Sequence, residues 1–200
     1  MSDYYVYRVD NGLYINVTNR CSCNCVFCVR KSSDGINQGE SLWLQKEPSL
    51  EEITQDIVTA DPTGYYEVVF CGYGEPTECL ETVLDVAKFI KKNYCIPIRL
   101  NTNGLSDLIY GCSTAKEMEG LIDTISISLN APTKEEYLSI SNPRFGLGSF
   151  DAMLQFAQDC KKYIPNVLFT VVDVIDSEKI ETCKKLAAQM NIECRIRTKI

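Results

Sequence analysis

Four cysteines, Cys21, Cys23, Cys25 and Cys28, fall within eight residues of the segment TNRCSCNCVFCVR, in a chain without histidine. The spacing of chemical interest is Cys21-x-x-x-Cys25-x-x-Cys28. Three thiolates on one short loop can converge on a cluster of iron and sulfide. A [4Fe–4S] cluster normally takes four cysteines, so three leave one iron open to a small molecule. Two other sites compete on paper. Zinc wants four Cys or His ligands, usually in pairs, and there is no second C-x-x-C. An electron-carrying cluster needs a fourth thiolate, which Cys23 could offer only with a tight loop distortion. Cys23 therefore reads as a bystander. The other seven cysteines, Cys71, Cys79, Cys95, Cys112, Cys160, Cys183 and Cys194, are scattered and read as core or surface thiols.

The rest of the chain narrows the setting. Its 200 residues suit a single domain, 1–200, and its formal net charge is −7 with a pI near 4.8. That balance makes nucleic acid an unlikely partner. The basic cluster Arg195, Arg197 and Lys199 reads as the polar face of a last strand. No run reaches the roughly 18 apolar residues of a membrane helix. The N-terminus MSDYYVYRVDNG has no apolar signal region. A cytoplasmic location, where thiols stay reduced, is the expectation.

Elements must carry the cysteines to a place where they can act. Strand-like runs lie at Leu13–Val17, Glu67–Gly72, Ile96–Gly104, Asp123–Asn130, Val167–Ile175 and Ile192–Arg197. Helical patterns lie between them, at Ser49–Ala60, Glu78–Asn93, Ser106–Glu119, Thr133–Ile140, Ser149–Tyr163 and Ser177–Asn191. Ser49 with Glu52 three residues on is a capping box. Strand followed by helix, repeated, predicts an α/β fold with a parallel six-stranded sheet and crossover helices. It fits either a doubly wound open sheet or a partial barrel. In both, sites sit at the C-terminal ends of strands, and Cys21 follows Val17 by four residues. The irregular stretch Arg20–Pro48 is long enough to be functional. Within it, core packing is the expected fate of Trp43, and a lid or contact role with Leu44 the alternative.

A second signature follows the second strand: CGYGEPT, Cys71–Thr77. Gly72 and Gly74 would let backbone approach a ligand. Glu75 would place an acid where a ligand ammonium could sit, and Pro76 would stiffen the turn.

Together, CSCNCVFC with Phe27 before the third cysteine, and G-x-G-E-P at the next strand end, resemble the radical SAM superfamily. The resemblance covers nearly the whole chain and implies a partial (β/α)6 barrel. It implies that Cys21, Cys25 and Cys28 hold a [4Fe–4S] cluster, and that Gly72, Gly74, Glu75 and Pro76 hold the methionine amino group of S-adenosylmethionine (SAM). LNTNG, with Asn103, resembles a segment near SAM in related enzymes, although Asn101 stands where some relatives have an acid. SISLNAP resembles a segment that holds the SAM ribose or carboxylate, which points to Ser128 and Asn130, with Ser126 on the same side. Asp173, in TVVDVI, is a rim ligand or a solvated strand end. The implied reaction is reductive cleavage of SAM to a 5′-deoxyadenosyl radical that abstracts hydrogen from an unknown substrate, a small molecule or a protein. A reducing donor such as flavodoxin or ferredoxin would supply the electron, and a protein partner could close the open barrel. The early cysteine segment also resembles small radical SAM proteins associated with TatD-type hydrolases. A rival reading is an electron-transfer or scaffold subunit bearing an iron–sulfur cluster.

Overall fold

The computed structural model describes residues 4–31 and 41–199. The chain opens with strand β1 (Val6–Val9), turns through Asp10 and Asn11, and returns as β2 (Gly12–Ile15). Helix α1 (Leu50–Ala60) carries the chain to β3 (Glu67–Phe70), and α2 (Leu80–Asn93) to β4 (Ile98–Thr102). Then come α3 (Ser106–Tyr110), β5 (Thr124–Ser128), α4 (Lys134–Ser141) and α5 (Ser149–Cys160). The chain finishes with β6 (Asn166–Val172), α6 (Ser177–Gln189) and β7 (Glu193–Arg197).

The seven strands form one sheet in chain order, with β1 antiparallel to β2 and every later pair parallel. Each crossover steps one strand in the same direction. With right-handed connections, all helices then fall on one face, and the other face becomes the wall of a partial barrel. Side-chain alternation agrees. Ile98, Leu100, Ile125, Ile127 and Phe169 are fully buried in the main core with α2 and α5. Their neighbours Arg99, Asn101, Ser126, Ser128 and Thr170 take the lumen side, in register across the strands. The lumen is polar, so it is not simply a packed core.

The structure departs from the sequence reading at four places. A seventh strand, β1, precedes the six expected; Asp10 takes φ 49° and makes the two-residue hairpin turn that reads as a terminal tail in the sequence. The helix expected over Ser106–Glu119 stops at Tyr110, because Gly111 adopts φ 70° and closes it. A short 3-10 turn at Pro76–Cys79 replaces the first residues of the helix expected from Glu78. β6 ends at Val172, where the N–H of Val174 turns back to the Val172 carbonyl at 2.8 Å. The capping box is present: Ser49 and Glu52 each accept from the other's backbone N–H. Among the described residues, no helix is long and apolar enough to cross a membrane.

Candidate active site

β2 and β3 are neighbours, so the segments leaving their C-terminal ends run side by side. The Cys71 N–H donates to the Ile15 carbonyl at 3.0 Å, and the Glu75 N–H to the Arg20 carbonyl at 2.7 Å. This backbone zipper explains both glycines. A Cβ at Gly72 would overlap the Asn16 side chain; one at Gly74 would overlap the Thr18 carbonyl and lie 2.7 Å from that of Arg20. Ligand approach was the expected reason for these glycines. The structure shows another: they let the glycine loop lie against the cysteine loop.

Glu75 is a buried acid at the end of the glycine loop. It is 4% exposed. Its Oε1 accepts from the Thr77 N–H (3.1 Å), the Thr77 hydroxyl (2.8 Å) and the Thr102 hydroxyl (2.7 Å), and its Oε2 from the Asn103 N–H (2.6 Å). Three donors converge on Oε1 and one reaches Oε2, so among the described residues Oε2 keeps an acceptor position. Burial pushes its pKa up, while the bonds from Thr102, Asn103 and Thr77 act against that rise. Glu75 thus pins the glycine loop to the end of β4. Replacing Glu75 by Gln turns one acceptor into an N–H2 facing fixed donors. The expected cost is about 2 kcal/mol of stability in denaturant titration; equal stability would show that Glu75 is already protonated.

Asn103 has a comparable role. Its Nδ2 donates to the Ser22 hydroxyl (2.9 Å) and its Oδ1 accepts from the Leu105 N–H (3.0 Å), tying the cysteine loop to β4. Ser22 and Thr102 were not singled out in the sequence. Only their adjacency to a cysteine and to Asn103 pointed there.

Cys21, Cys25 and Cys28 are all partly exposed and border one cavity of about 280 Å3. Gly72, Gly74, Glu75, Pro76, Asn103, Ser128 and Asn130 border the same cavity. Asn130 adopts φ 56°, a conformation Asn tolerates better than most residues. Ser126 lies deeper, buried at 4% exposure. Asp173 is the predicted site residue the structure leaves outside. Val172 faces the lumen, so its neighbour turns away; Asp173 Oδ1 accepts from the Lys199 N–H at 2.7 Å at the exposed strand end. A wider, open depression of about 620 Å3 lies at the other end of the sheet, where Lys91 and Asp123 pair at 2.6 Å. It carries none of the cysteine loop, so the strand C-termini hold the chemistry.

The thiols are not equivalent. Burial, followed by the nearby Glu75, pushes Cys21 up to about 12. The hydrogen bond between Cys23 and Cys25 pushes the first thiol up and the second down. Arg30 Nε reaches Cys28 Sγ at 3.3 Å. Its guanidinium lies 5.8 Å from the ring centre of Trp43, which in turn meets Tyr73 edge-on at 5.2 Å. Trp43 is 49% exposed and Leu44 is buried, so the core position expected of Trp43 belongs to Leu44. Trp43 covers the seam between the two loops instead.

Among the described residues, no three Cys, Asp or Glu side chains close on one point as a single metal ion requires. Cys21, Cys25 and Cys28 are partly exposed thiols on one cavity, with the Arg30 guanidinium beside Cys28, a donor set of the kind an iron–sulfur cluster takes.

Comparison with known proteins agrees with this geometry. Curated relatives include the GTP 3′,8-cyclases of two Clostridium perfringens strains, SM101 and 13, each 26% identical over 185 residues. Those matches take in 90% of this chain and 52% of each relative, so the chain spans about half their length. Solved structures with the same fold include a radical SAM methyltransferase from Sphaerobacter thermophilus, with TM-score 0.64 and 18% identity over 96% of this chain and 57% of that one. Streptococcus suis SuiB bound to S-adenosylmethionine matches with TM-score 0.66 and 18% identity, over 95% of this chain and 39% of that one. The family model of the radical SAM superfamily, whose members are enzymes that use a [4Fe–4S] cluster and SAM, matches residues 15–190. With the match extending from the end of β2 through α6, the chain belongs to the radical SAM superfamily.

Proposed function

We propose that this chain, as a single domain, is an enzyme whose Cys21, Cys25 and Cys28 hold a [4Fe–4S] cluster and whose lumen takes SAM and a substrate. The observation that carries the reading is the meeting of these three thiols and the Gly72–Pro76 loop on one cavity. The chemistry such a group supplies when bound is one-electron reductive cleavage of SAM to methionine and a 5′-deoxyadenosyl radical, which abstracts hydrogen from the substrate.

The chain's own residues bind and orient. The carbonyls of Gly72, Tyr73 and Gly74 accept no hydrogen bond among the described residues, and these residues line the cavity. They are the acceptors for the SAM ammonium; Glu75 serves by holding their loop in place. Ser128 Oγ and Asn130 Nδ2 likewise carry no bond among the described residues. They suit the ribose hydroxyls or the carboxylate. Tyr7, Tyr14, Tyr73 and Phe27 give the cavity aromatic walls that keep water from a reactive species. Hydrogen-atom abstraction needs no general base of neutral pKa, which suits a chain without histidine. A reduced carrier such as flavodoxin or ferredoxin provides the electron in the cytoplasm. A protein partner covers the exposed sheet edge at β7, and the substrate is a small molecule or a protein side chain.

Anaerobic reconstitution with iron and sulfide, reduction, addition of SAM and chromatography for 5′-deoxyadenosine tests the reading. Product formation is expected from the wild-type protein. A loaded cluster that forms no product, with donors and cell extract present, would mark an electron-transfer or scaffold subunit instead.

A further inference from the structure

The cysteine loop leaves β2, and the opposite wall of the same cavity is built by β6 and β7, at the far edge of the sheet. The pairs Thr170 with Arg195 and Val172 with Arg197 put both arginines on the lumen side. Arg197, Thr198 and Lys199 border the cavity directly. Asp173 fixes this terminal segment: its N–H donates to the Arg197 carbonyl (3.0 Å) and its carboxylate accepts from the Lys199 N–H (2.7 Å).

Against the two cations Arg197 and Lys199 this segment sets one acid, Asp173, whose carboxylate takes the Lys199 N–H. Among the described residues, neither Arg197 nor Lys199 has an ion pair, and the nearest carboxylate to Arg195 is Glu193 at 3.9 Å. Among the described residues, Glu75 is the carboxylate that borders the cavity, and it is engaged by Thr77, Thr102 and Asn103. Deeper in the lumen Arg99 is already neutralised, gripping Glu67 through two bonds of 2.7 and 3.0 Å. In a chain of net charge −7, two unpaired cations at one wall of a polar cavity are what an anion would neutralise.

We propose that Arg197, with Lys199, receives an anionic group of the substrate, a phosphate or a carboxylate, on the side of the lumen away from the cysteines. The inference rests on the radical SAM reading of the cavity. A guanidinium suits either anion, because its planar fork can donate two parallel hydrogen bonds. SAM also carries a carboxylate, but Ser128 at the end of β5 and Asn130 just beyond it lie between the cysteine loop and β7 and meet it first.

The test is calorimetric titration of the cluster-loaded, SAM-bound protein with pyrophosphate and, separately, malonate. SAM affinity is measured alongside for the wild type, Arg197→Gln, and Arg197→Gln with Lys199→Gln. At least one anion is expected to bind the wild type, and which one does separates phosphate from carboxylate. That affinity is expected to fall about tenfold or more in Arg197→Gln and further in the double variant. SAM affinity is expected to stay within about twofold. Absence of binding by both anions, or equal binding to Arg197→Gln, would overturn the proposal. So would a loss of SAM affinity with anion binding unchanged, which would give Arg197 to the SAM carboxylate. Arg197-dependent anion binding in a protein that forms no 5′-deoxyadenosine would keep this site and remove the enzymatic reading.

Discussion

Alanine at Cys25 is expected to abolish both cluster loading and 5′-deoxyadenosine formation, and alanine at Cys21 or Cys28 to do the same. Alanine at Cys23 is expected to spare both. The four thiols are close in sequence, and the structure separates them. Cys21, Cys25 and Cys28 are partly exposed on the cavity wall, whereas Cys23, which also borders the cavity, is 5% exposed and packs in the main core. Its segment is laced to the chain after α4: the Asn24 N–H donates to the Ser141 carbonyl (3.1 Å) and the Arg144 N–H to the Ser22 carbonyl (2.8 Å). Cys23 forms an isolated backbone bridge with Pro143 in the same place. Drawing its sulfur to a shared metal would take it out of its buried place in the main core. Iron and sulfide analysis of reconstituted protein should therefore give about four irons per chain for the wild type and Cys23→Ala, and less than about one for the other three variants. Electron paramagnetic resonance of the reduced samples provides an independent reading. If Cys23→Ala lost iron as completely as Cys25→Ala, Cys23 would be a ligand and the three-thiolate assignment would fail.

The sequence was most legible where chemistry and pattern coincide. The period-of-two alternation in TISIS marks β5 and puts Ser128 on the lumen side; Ser49 and Glu52 mark the start of α1. The strand-end positions of the cysteines and of Gly72–Pro76 follow from the βα repeat, and the structure brings both to one cavity. Less legible was anything decided by contacts distant in sequence. Nothing local in VYRV indicates that it will pair with β2. Asp173 reads from sequence as either a rim ligand or a solvated strand end, and the end of β6 one residue earlier makes it the second. Glu75 was read as a ligand for an ammonium because acids near glycine loops often are. Its burial under Thr102 and Asn103, more than twenty residues on, was not visible from the motif. Arg197 was read as part of a solvated strand face, and only the register with Val172 shows which side it takes.

Alanine at Gly74 is expected to destabilise the protein whether or not cofactors are bound. Gly74 has no strained φ, so the reason lies in space: an added methyl would overlap the Thr18 carbonyl and press on that of Arg20. Backbone cannot rotate away as a flexible side chain can. The hydrogen bond from Glu75 to Arg20, at 2.7 Å, sits beside the clash and would open with it. Overpacking of this kind typically costs 1–3 kcal/mol; with a zipper bond lost as well, the expected loss is about 3 kcal/mol or more, read from urea unfolding of the cofactor-free protein. Two other glycines calibrate the result. Gly64 has nothing within 4 Å of its added Cβ and no positive φ, so alanine there should be within about 0.5 kcal/mol of neutral. Gly111 also has open space but φ 70°, so its alanine variant should cost about 1 kcal/mol through backbone strain alone. The order Gly64, Gly111, Gly74 then separates no cost, conformational cost and steric cost. Should Gly74→Ala instead leave the cofactor-free protein as stable as the wild type and weaken only SAM binding, the glycine would serve ligand approach, and the loop-on-loop account of the motif would be wrong.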